Sequence, residues 1–510
     1  MPRTRPPVGP AKPTSVFARD GEWRALTAFA TRPTRHAGLG VVSGRRRMGK
    51  TYLLRALVER LGGFYFGATE ATPVESLRQF GAALAEHVGS PVALAFHTWD
   101  DAVRYLFALG TRPDASRPVL AVIDEFPYLT AAVPELPSLI QREFDRYQTE
   151  PNRLRLLLCG SAMSVMGGLL AGNAPLRGRA ALELLVQPFG YRDAARFWDA
   201  QDAPALAARL HAVVGGTPAY RRQFLDDDVP TDLGDFSDWV CRTVLSPLSP
   251  LFREARYLLA EETQIRDTAL YHSVLAAVAE GNATRGGIAG YIGRRSVDIS
   301  HPLNVLEDCR LLVRENDLFR SGHSQFRIAE PLVTFYEAVM RPSWARLEAG
   351  HAEAVWRESA SRFAAQVAGP HFETLCREYL VAWGSEVLGA EAIGDVGAGV
   401  VTDPVRRQQT QIDAAVLAPG SGTRQRRVLA LGEAKWGTVL GIGHLDRLAR
   451  ARDVLVARGH DARQCRLLCF GAAGFDPTLR ARAAEDPLVH LVDLPMLYGR
   501  ESATAGGPGQ

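Results

Sequence analysis

Two groups of residues, far apart in a chain of 510, have the types and spacing to act on phosphate. The first is "GRRRMGKT" at 44–51, which fits G-x-x-x-x-G-K-[ST] in full, after the apolar run "GLGVVSG" and before an amphipathic stretch. In such a loop, here with Gly44, Met48 and Gly49, backbone N–H groups curl round phosphates and the following helix adds its positive N-terminal dipole. Lys50 is then expected to reach the β- and γ-phosphates, and the Thr51 hydroxyl to ligate Mg²⁺. A second piece follows in "VLAVIDEF", where Asp124 and Glu125 close an apolar strand at the end where open α/β sheets bind ligands. Asp124 suits Mg²⁺ held through water, and Glu125 suits orienting or deprotonating an attacking water. Alone, the loop also reads as a tight strand-to-helix turn and the acids as a helix cap. Together and in this order they point to ATP with Mg²⁺, and to hydrolysis.

The second group centres on "LALGEAKWG" at 429–437. Alternation along a strand puts Glu433 and Lys435 on one face, with Ala434 and Trp436 on the other. A surface pair of this kind contributes only about 0.2–1 kcal/mol. The preceding "VLAL" is apolar on both faces, however, and charge at the end of a buried strand is costly unless paired or bound to metal. Asp413 in "QTQIDAAVLA" lies 20 residues upstream across a polar turn, so a hairpin brings it beside Glu433. Glu373 in the helical "GPHFETLCREYLVAW" is a further carboxylate. Asp413, Glu433 and Glu373 are expected to converge as oxygen ligands of a second divalent ion, with Lys435 positioning or polarising a water for attack on phosphate.

The elements that must carry these residues are legible from apolar periodicity. At this length about three domains are expected. Runs at 38–44, 64–67, 119–125 and 154–161 are apolar on both faces and alternate with helical patterns, which is a doubly wound parallel α/β domain over 17–235. Residues 236–345 turn mainly helical. Within them a helix over 267–280, the segment "TRGGIAGYIGRRS", a helix in "ISHPLNVLEDCRLL" and a hairpin near 311–328 follow in the order of a winged helix-turn-helix. Arg294, Arg295, Ser296 and His301 stand where base edges or phosphates would be met, while Glu307 and Asp308 would repel phosphate and favour a protein-binding role. A second α/β region spans 352–500, with strands at 411–417, 427–434, 465–470 and 489–492. The basic, Pro-rich residues 1–16 and the tail 501–510 are expected to be disordered.

Composition narrows the setting. A net charge of +3 makes no case for nucleic acid by itself, and the six scattered cysteines suit a reducing compartment and no zinc site. No run is long enough for a membrane span, so the expected location is the cytoplasm.

Seven blocks in order carry a resemblance: "FARDGEWRAL" (17–26), "GRRRMGKT", "VIDEFPYL", "LLLCGSAMSVM" (156–166), "PLRGRA" (175–180), "VQPFGYRDAARFW" (186–198) and "GGTPAY" (215–220). The chain resembles the archaeal-type ATPases of the AAA+/STAND-related P-loop group, over most of 15–340. That resemblance implies Ser161 as a polar sensor of the γ-phosphate, Arg177 and Arg179 as arginine-finger candidates, and "GGTPAY" as the start of a helical lid. The entry "FARDGE" departs from the usual Phe-x-x-Arg-Glu-x-Glu, which leaves adenine contact by Arg19 open. The C-terminal region looks like the PD-(D/E)xK nuclease core, with Asp413 as the D and Glu433-Ala434-Lys435 as the (D/E)-x-K. The expected function is an ATP-driven protein acting on DNA or RNA, whose nucleotide state controls the winged helix and a metal-dependent nuclease-like domain. The alternative is a non-cleaving regulatory ATPase that binds a protein partner, DNA or a second copy of itself.

Overall fold

The structure, a computed structural model, describes residues 9–111, 117–260, 267–420 and 426–501. The expected leader up to residue 8 and the expected tail from residue 502 lie outside the described residues. Residues 9–16 pack on the first helix, Asp20–Thr31. The Trp23 indole donates to Pro10 O at 2.9 Å, Lys12 Nζ pairs with Asp20 at 3.3 Å, and Val16 is buried. The packed chain thus begins by Gly9 and not at residue 17.

The described residues fall into two compact units. The first holds the chain up to Pro188 together with Thr217–Ala219; the second holds Phe189–Gly216, Tyr220–Leu259 and the chain from Asp267 onward. The break at Pro188 falls inside the stretch 17–235 expected for one domain. The helical stretch 236–345 and the region from 352, expected as separate domains, share the second unit.

In the first unit, β1 (Gly38–Ser43), β2 (Gly63–Gly67), β3 (Val119–Asp124), β4 (Leu154–Gly160) and β5 (Ala180–Leu185) form a parallel sheet in the order β2-β3-β4-β1-β5. β4 is buried along its whole length, because helices cover both faces and leave no polar side to the sheet. One core holds Phe64, Phe80, Leu106, Ile123 and Leu156; the other holds Trp23, Leu53, Leu57, Val122 and Leu157. β5 has no strand signal in the sequence. It is an edge strand whose burial alternates with exposure, and "AALELL" carries no continuous apolar run.

The second unit contains helices Thr268–Ala279, Arg285–Ile292 and Ser300–Asp308, followed by an antiparallel hairpin of β6 (Leu312–Asn316) and β7 (Ser324–Ile328). Its main sheet runs β12-β11-β10-β9-β8, from β8 (Val396–Asp403), β9 (Gln408–Leu417), β10 (Val428–Lys435), β11 (Arg466–Gly471) and β12 (Val489–Asp493). β8, β9 and β10 are antiparallel neighbours, while β10, β11 and β12 are parallel. Helix Gly369–Val387 covers one face through Phe372, Leu375 and Leu380, and helix Ile442–Ala457 covers the other through Leu445, Leu448 and Leu455. β8 escapes periodicity because two glycines interrupt "VGAGVVTD".

As an edge strand, β8 presents unpaired backbone groups, and the β6–β7 hairpin covers them. Leu318 N donates to Ala398 O at 3.1 Å, and Asp317 Oδ2 accepts Val400 N at 3.1 Å. The other Asp317 oxygen caps the turn by accepting Phe319 N and Arg320 N, each at 2.9 Å. Among the described residues no helix is long and apolar enough to cross a membrane, and all six cysteines are free thiols.

Two histidines meet inside the second unit: His211 of helix Pro204–Val214 has Nδ1 2.8 Å from Nε2 of His371. Burial holds His211 down to about 4, and burial together with the facing His211 holds His371 well below its ordinary value. Both are neutral in the fold, while the unfolded chain takes up protons below about pH 6.5. The stability they contribute is therefore present above that pH and lost as pH falls through it toward 4. Thermal melts should show a falling Tm between about pH 6.5 and pH 4, shallower in His371→Gln than in the unsubstituted protein. Equal slopes would remove the pair as the cause.

Candidate functional site

The C-terminal ends of the parallel strands β1, β3 and β4 deliver three groups to one end of the first sheet: loop 44–51, Asp124 with Glu125, and Ser161. Gly44 sits at φ +151°, and a Cβ there would come 2.5 Å from Val186 O, so only glycine fits. Arg47 and Gly49 are left-handed, which turns successive N–H groups inward ahead of helix Lys50–Leu61. The Met48 side chain is in the core beneath the loop, so this residue brings only its backbone to the site. Arg19, buried, donates to Met48 O at 3.0 Å and to Gln187 O at 2.7 Å, and pairs with Glu22 at 2.8 Å. It thereby props the loop backbone from below.

Lys50 Nζ donates to Gly44 O at 2.6 Å and Arg45 O at 2.9 Å. Burial lowers its pKa, opposed by Cys159, Glu125 and Asp124. A desolvated ammonium at the mouth of a nest of N–H groups is a strong anion site. Thr51 follows it, exposed. Asp124 is only 1% exposed; its two oxygens accept Glu125 N at 2.9 Å and the Tyr65 hydroxyl at 2.8 Å. Burial raises the Tyr65 pKa, so the phenol stays a donor, with Arg55 5.0 Å from its ring centre. Glu125 takes a left-handed φ of 51°, a conformation that non-glycine residues hold at a cost. Ser161 Oγ donates to Glu125 Oε2 at 3.1 Å. Arg179 forms a two-pronged pair with Asp145 at 2.6 and 2.7 Å, whereas exposed Arg177 donates to Gly172 O.

In the second sheet, Gly432 of β10 lies opposite Ala414 of β9, which sets Asp413 beside Glu433. Over Gly397–Gly399 of β8 the partner on β9 advances from Ala415 to Ile412, so β9 carries a bulge across Asp413–Ala414. A bulge re-aims a side chain; Asp413 Oδ2 accepts Ala434 N at 2.9 Å. The Lys435 ammonium is enclosed by Glu433 Oε1 at 3.0 Å, Ala434 O at 3.2 Å and Asp413 Oδ2 at 3.6 Å. Burial lowers the Lys435 pKa, but Asp413 and Glu433 outweigh it and the net shift is upward. Burial, then Asp413, pushes Glu373 up to about 7, and burial also raises Asp413. Two basic groups join that the sequence did not single out. Arg447 Nη2 donates to Glu433 Oε1 at 2.5 Å, and Arg377 Nη1 donates to Asp413 O at 2.9 Å. Among the described residues, no three or more His, Cys, Asp or Glu side chains are arranged as a ready metal cage.

Comparison with known proteins adds to the first site. Residues 17–220 match the model of a family described as an ATPase domain predominantly from Archaea. Over those residues the chain is similar to an archaeal-type ATPase domain. An uncharacterized protein of Methanocaldococcus jannaschii, MJECL04, is 26% identical over 345 residues, 67% of this chain and 72% of its own. Among solved structures, the Walker-type ATPase PABY2304 of Pyrococcus abyssi is 20% identical, with a TM-score of 0.47, over 63% of this chain and 96% of its own. The ORC2 protein of Aeropyrum pernix, solved as ADPNP–ADP complexes, is 15% identical with a TM-score of 0.38, over 68% of this chain and 95% of its own.

In the first unit loop 44–51, Asp124, Glu125 and Ser161 lie together at the strand ends. Tyr65 and Arg19 were missed as supports, because their roles depend on strand order and on the path of the loop. Ser161→Ala removes a partner of Glu125 and none of the loop. It is expected to leave ATP affinity within about threefold and lower turnover by about tenfold to a hundredfold. Binding and steady-state hydrolysis measured on one preparation check this; equal losses in both would make Ser161 a binding residue instead.

Proposed function

We propose that this protein is an ATP-hydrolysing switch whose second unit is a metal-dependent, PD-(D/E)xK-like site acting on nucleic acid. At the first site, loop 44–51 and Lys50 would hold the phosphates of ATP, Thr51 and Asp124 would hold Mg²⁺, and Glu125 would align the attacking water under the hold of Ser161. Bound Mg²⁺ would neutralise charge developing on the β- and γ-phosphates. Arg177, exposed, is better disposed to act on a second copy than Arg179, which Asp145 occupies.

For the second site, the observation that carries the reading is the enclosure of a cation. A positive charge, the Lys435 ammonium, lies among Glu433 Oε1, Asp413 Oδ2 and a backbone carbonyl. That donor set is all oxygen, is largely buried and suits a hard divalent ion. Asp413, Glu433 and, when deprotonated, Glu373 would hold the metal, which would supply Lewis-acid activation of the phosphate. Lys435 would then orient water. The helices 268–308 and the β6–β7 hairpin would act as a winged helix whose wing is occupied by β8. Nucleic acid would be met by the exposed turn of Arg294, Arg295, Ser296 and His301.

A specific observation favours the second reading, a non-cleaving regulatory ATPase: Glu433 already has two cations on one oxygen, and no three-carboxylate cage is formed among the described residues. Lys50→Ala should reduce ATP binding by at least about a hundredfold, the scale of two or more lost charge-assisted contacts; unchanged affinity would overturn the nucleotide assignment. With Mg²⁺ or Mn²⁺, the protein should cut DNA or RNA, and Asp413→Asn should abolish the cutting. If no substrate is cut in any nucleotide state while Mn²⁺ binding is the same in wild type and Glu433→Ala, the switch reading stands alone.

A further inference from the structure

Glu433 Oε1 is shared by two cations of different character. Lys435 is on the same strand, two residues on, and cannot move far from it. Arg447 comes from the second turn of helix Ile442–Ala457, and its side chain is 45% exposed against 6% for Glu433. The carboxylate is therefore fixed on a central strand, and the arginine reaches it from the solvent side on a long, flexible stem. The guanidinium stays charged at any working pH, so titration cannot release it. Only a competitor for Oε1 can.

A divalent cation at this site needs that same oxygen. As the site stands, Asp413 and Glu433 balance Lys435 and Arg447. Adding a divalent ion leaves an excess of two positive charges at a partly buried position, or of one once Glu373 gives up its proton as the metal binds, and an anion must compensate what remains. The displaced guanidinium is then beside the metal with its N–H fork open, and a fork of this shape pairs two-pronged with phosphate.

We propose that Arg447 is a positioning residue that closes Glu433 against divalent metal and, once metal displaces it, turns to a non-bridging oxygen of a nucleic-acid phosphodiester. Metal and nucleic acid are then bound in a coupled way, each favouring the other. This rests on the reading of the second unit as a metal-dependent site on nucleic acid.

The test uses the full chain, free of nucleotide. Mn²⁺ binding is measured by calorimetry on wild type, Arg447→Gln, Arg447→Lys and Glu433→Ala, each checked by its Tm, and DNA binding is measured with and without Ca²⁺. Arg447→Gln is expected to bind Mn²⁺ about fivefold more tightly, the scale of one lost ion pair on the carboxylate. It should also lose the Ca²⁺-dependent gain in DNA affinity, and Arg447→Lys should restore part of both. If wild type binds Mn²⁺ in a Glu433-dependent way and Arg447→Gln leaves that affinity unchanged or weaker, the role of Arg447 is overturned and the metal site stands. If no Glu433-dependent Mn²⁺ binding exists in wild type, the metal reading of the second unit fails and Arg447 falls with it.

Discussion

Charge at the end of a buried strand must be matched on the spot, and both sites of this protein are built on that constraint. β3 ends in Asp124 and β10 ends in Glu433 and Lys435, each on an interior strand of its sheet. Water cannot reach these groups freely, so uncompensated charge would cost several kcal/mol. At Asp124 the compensation is two hydrogen bonds, from Tyr65 and from the Glu125 backbone. At Glu433 it is two cations on one oxygen. The first arrangement fixes the carboxylate through neutral donors, whereas the second loads one of its oxygens with both cations.

The same logic reaches the supporting residues. Lys50 is desolvated, and two loop carbonyls compensate its charge. Arg19 ties the Met48 carbonyl and thereby fixes the loop that surrounds that cation. In the second unit, Arg377 spans two elements: it donates to Asp413 O and lies 3.5 Å from Glu315 on β6. The hairpin that reads as a wing is thus joined both to the edge strand β8 and to the neighbourhood of the carboxylates. It serves as part of the second unit's frame, and the turn at 294–296 stays exposed.

Connectivity places the two units in covalent series. The chain leaves the first unit at Phe189, contributes Pro204–Val214 to the second, and returns for Thr217–Ala219 before leaving again. Within the first unit Pro218 lies 3.8 Å from where a side chain on Gly49 would begin, so this brief return lies against the phosphate loop. Helix Pro204–Val214 meets helix Gly369–Val387, the carrier of Glu373 and Arg377, through the His211–His371 contact. The segment between β5 and "GGTPAY" accordingly starts and ends in the first unit and gives its middle to the second.

The amino-acid sequence by itself determined the parts whose physics is local. A phosphate loop is a property of eight consecutive residues, a doubly covered strand is a continuous apolar run, and the Asp413–Glu433 hairpin follows from two such runs and a polar turn. Edge strands β5 and β8 stayed hidden because one is half exposed and the other is broken by glycine, so neither has a local signature. Only the tertiary structure decided that Tyr65 holds Asp124, that a bulge aims Asp413, and that Arg447 occupies Glu433. Each of those depends on which strands become neighbours and which helix crosses above them. Sheet order and crossover set these distances, and no short window of sequence contains them.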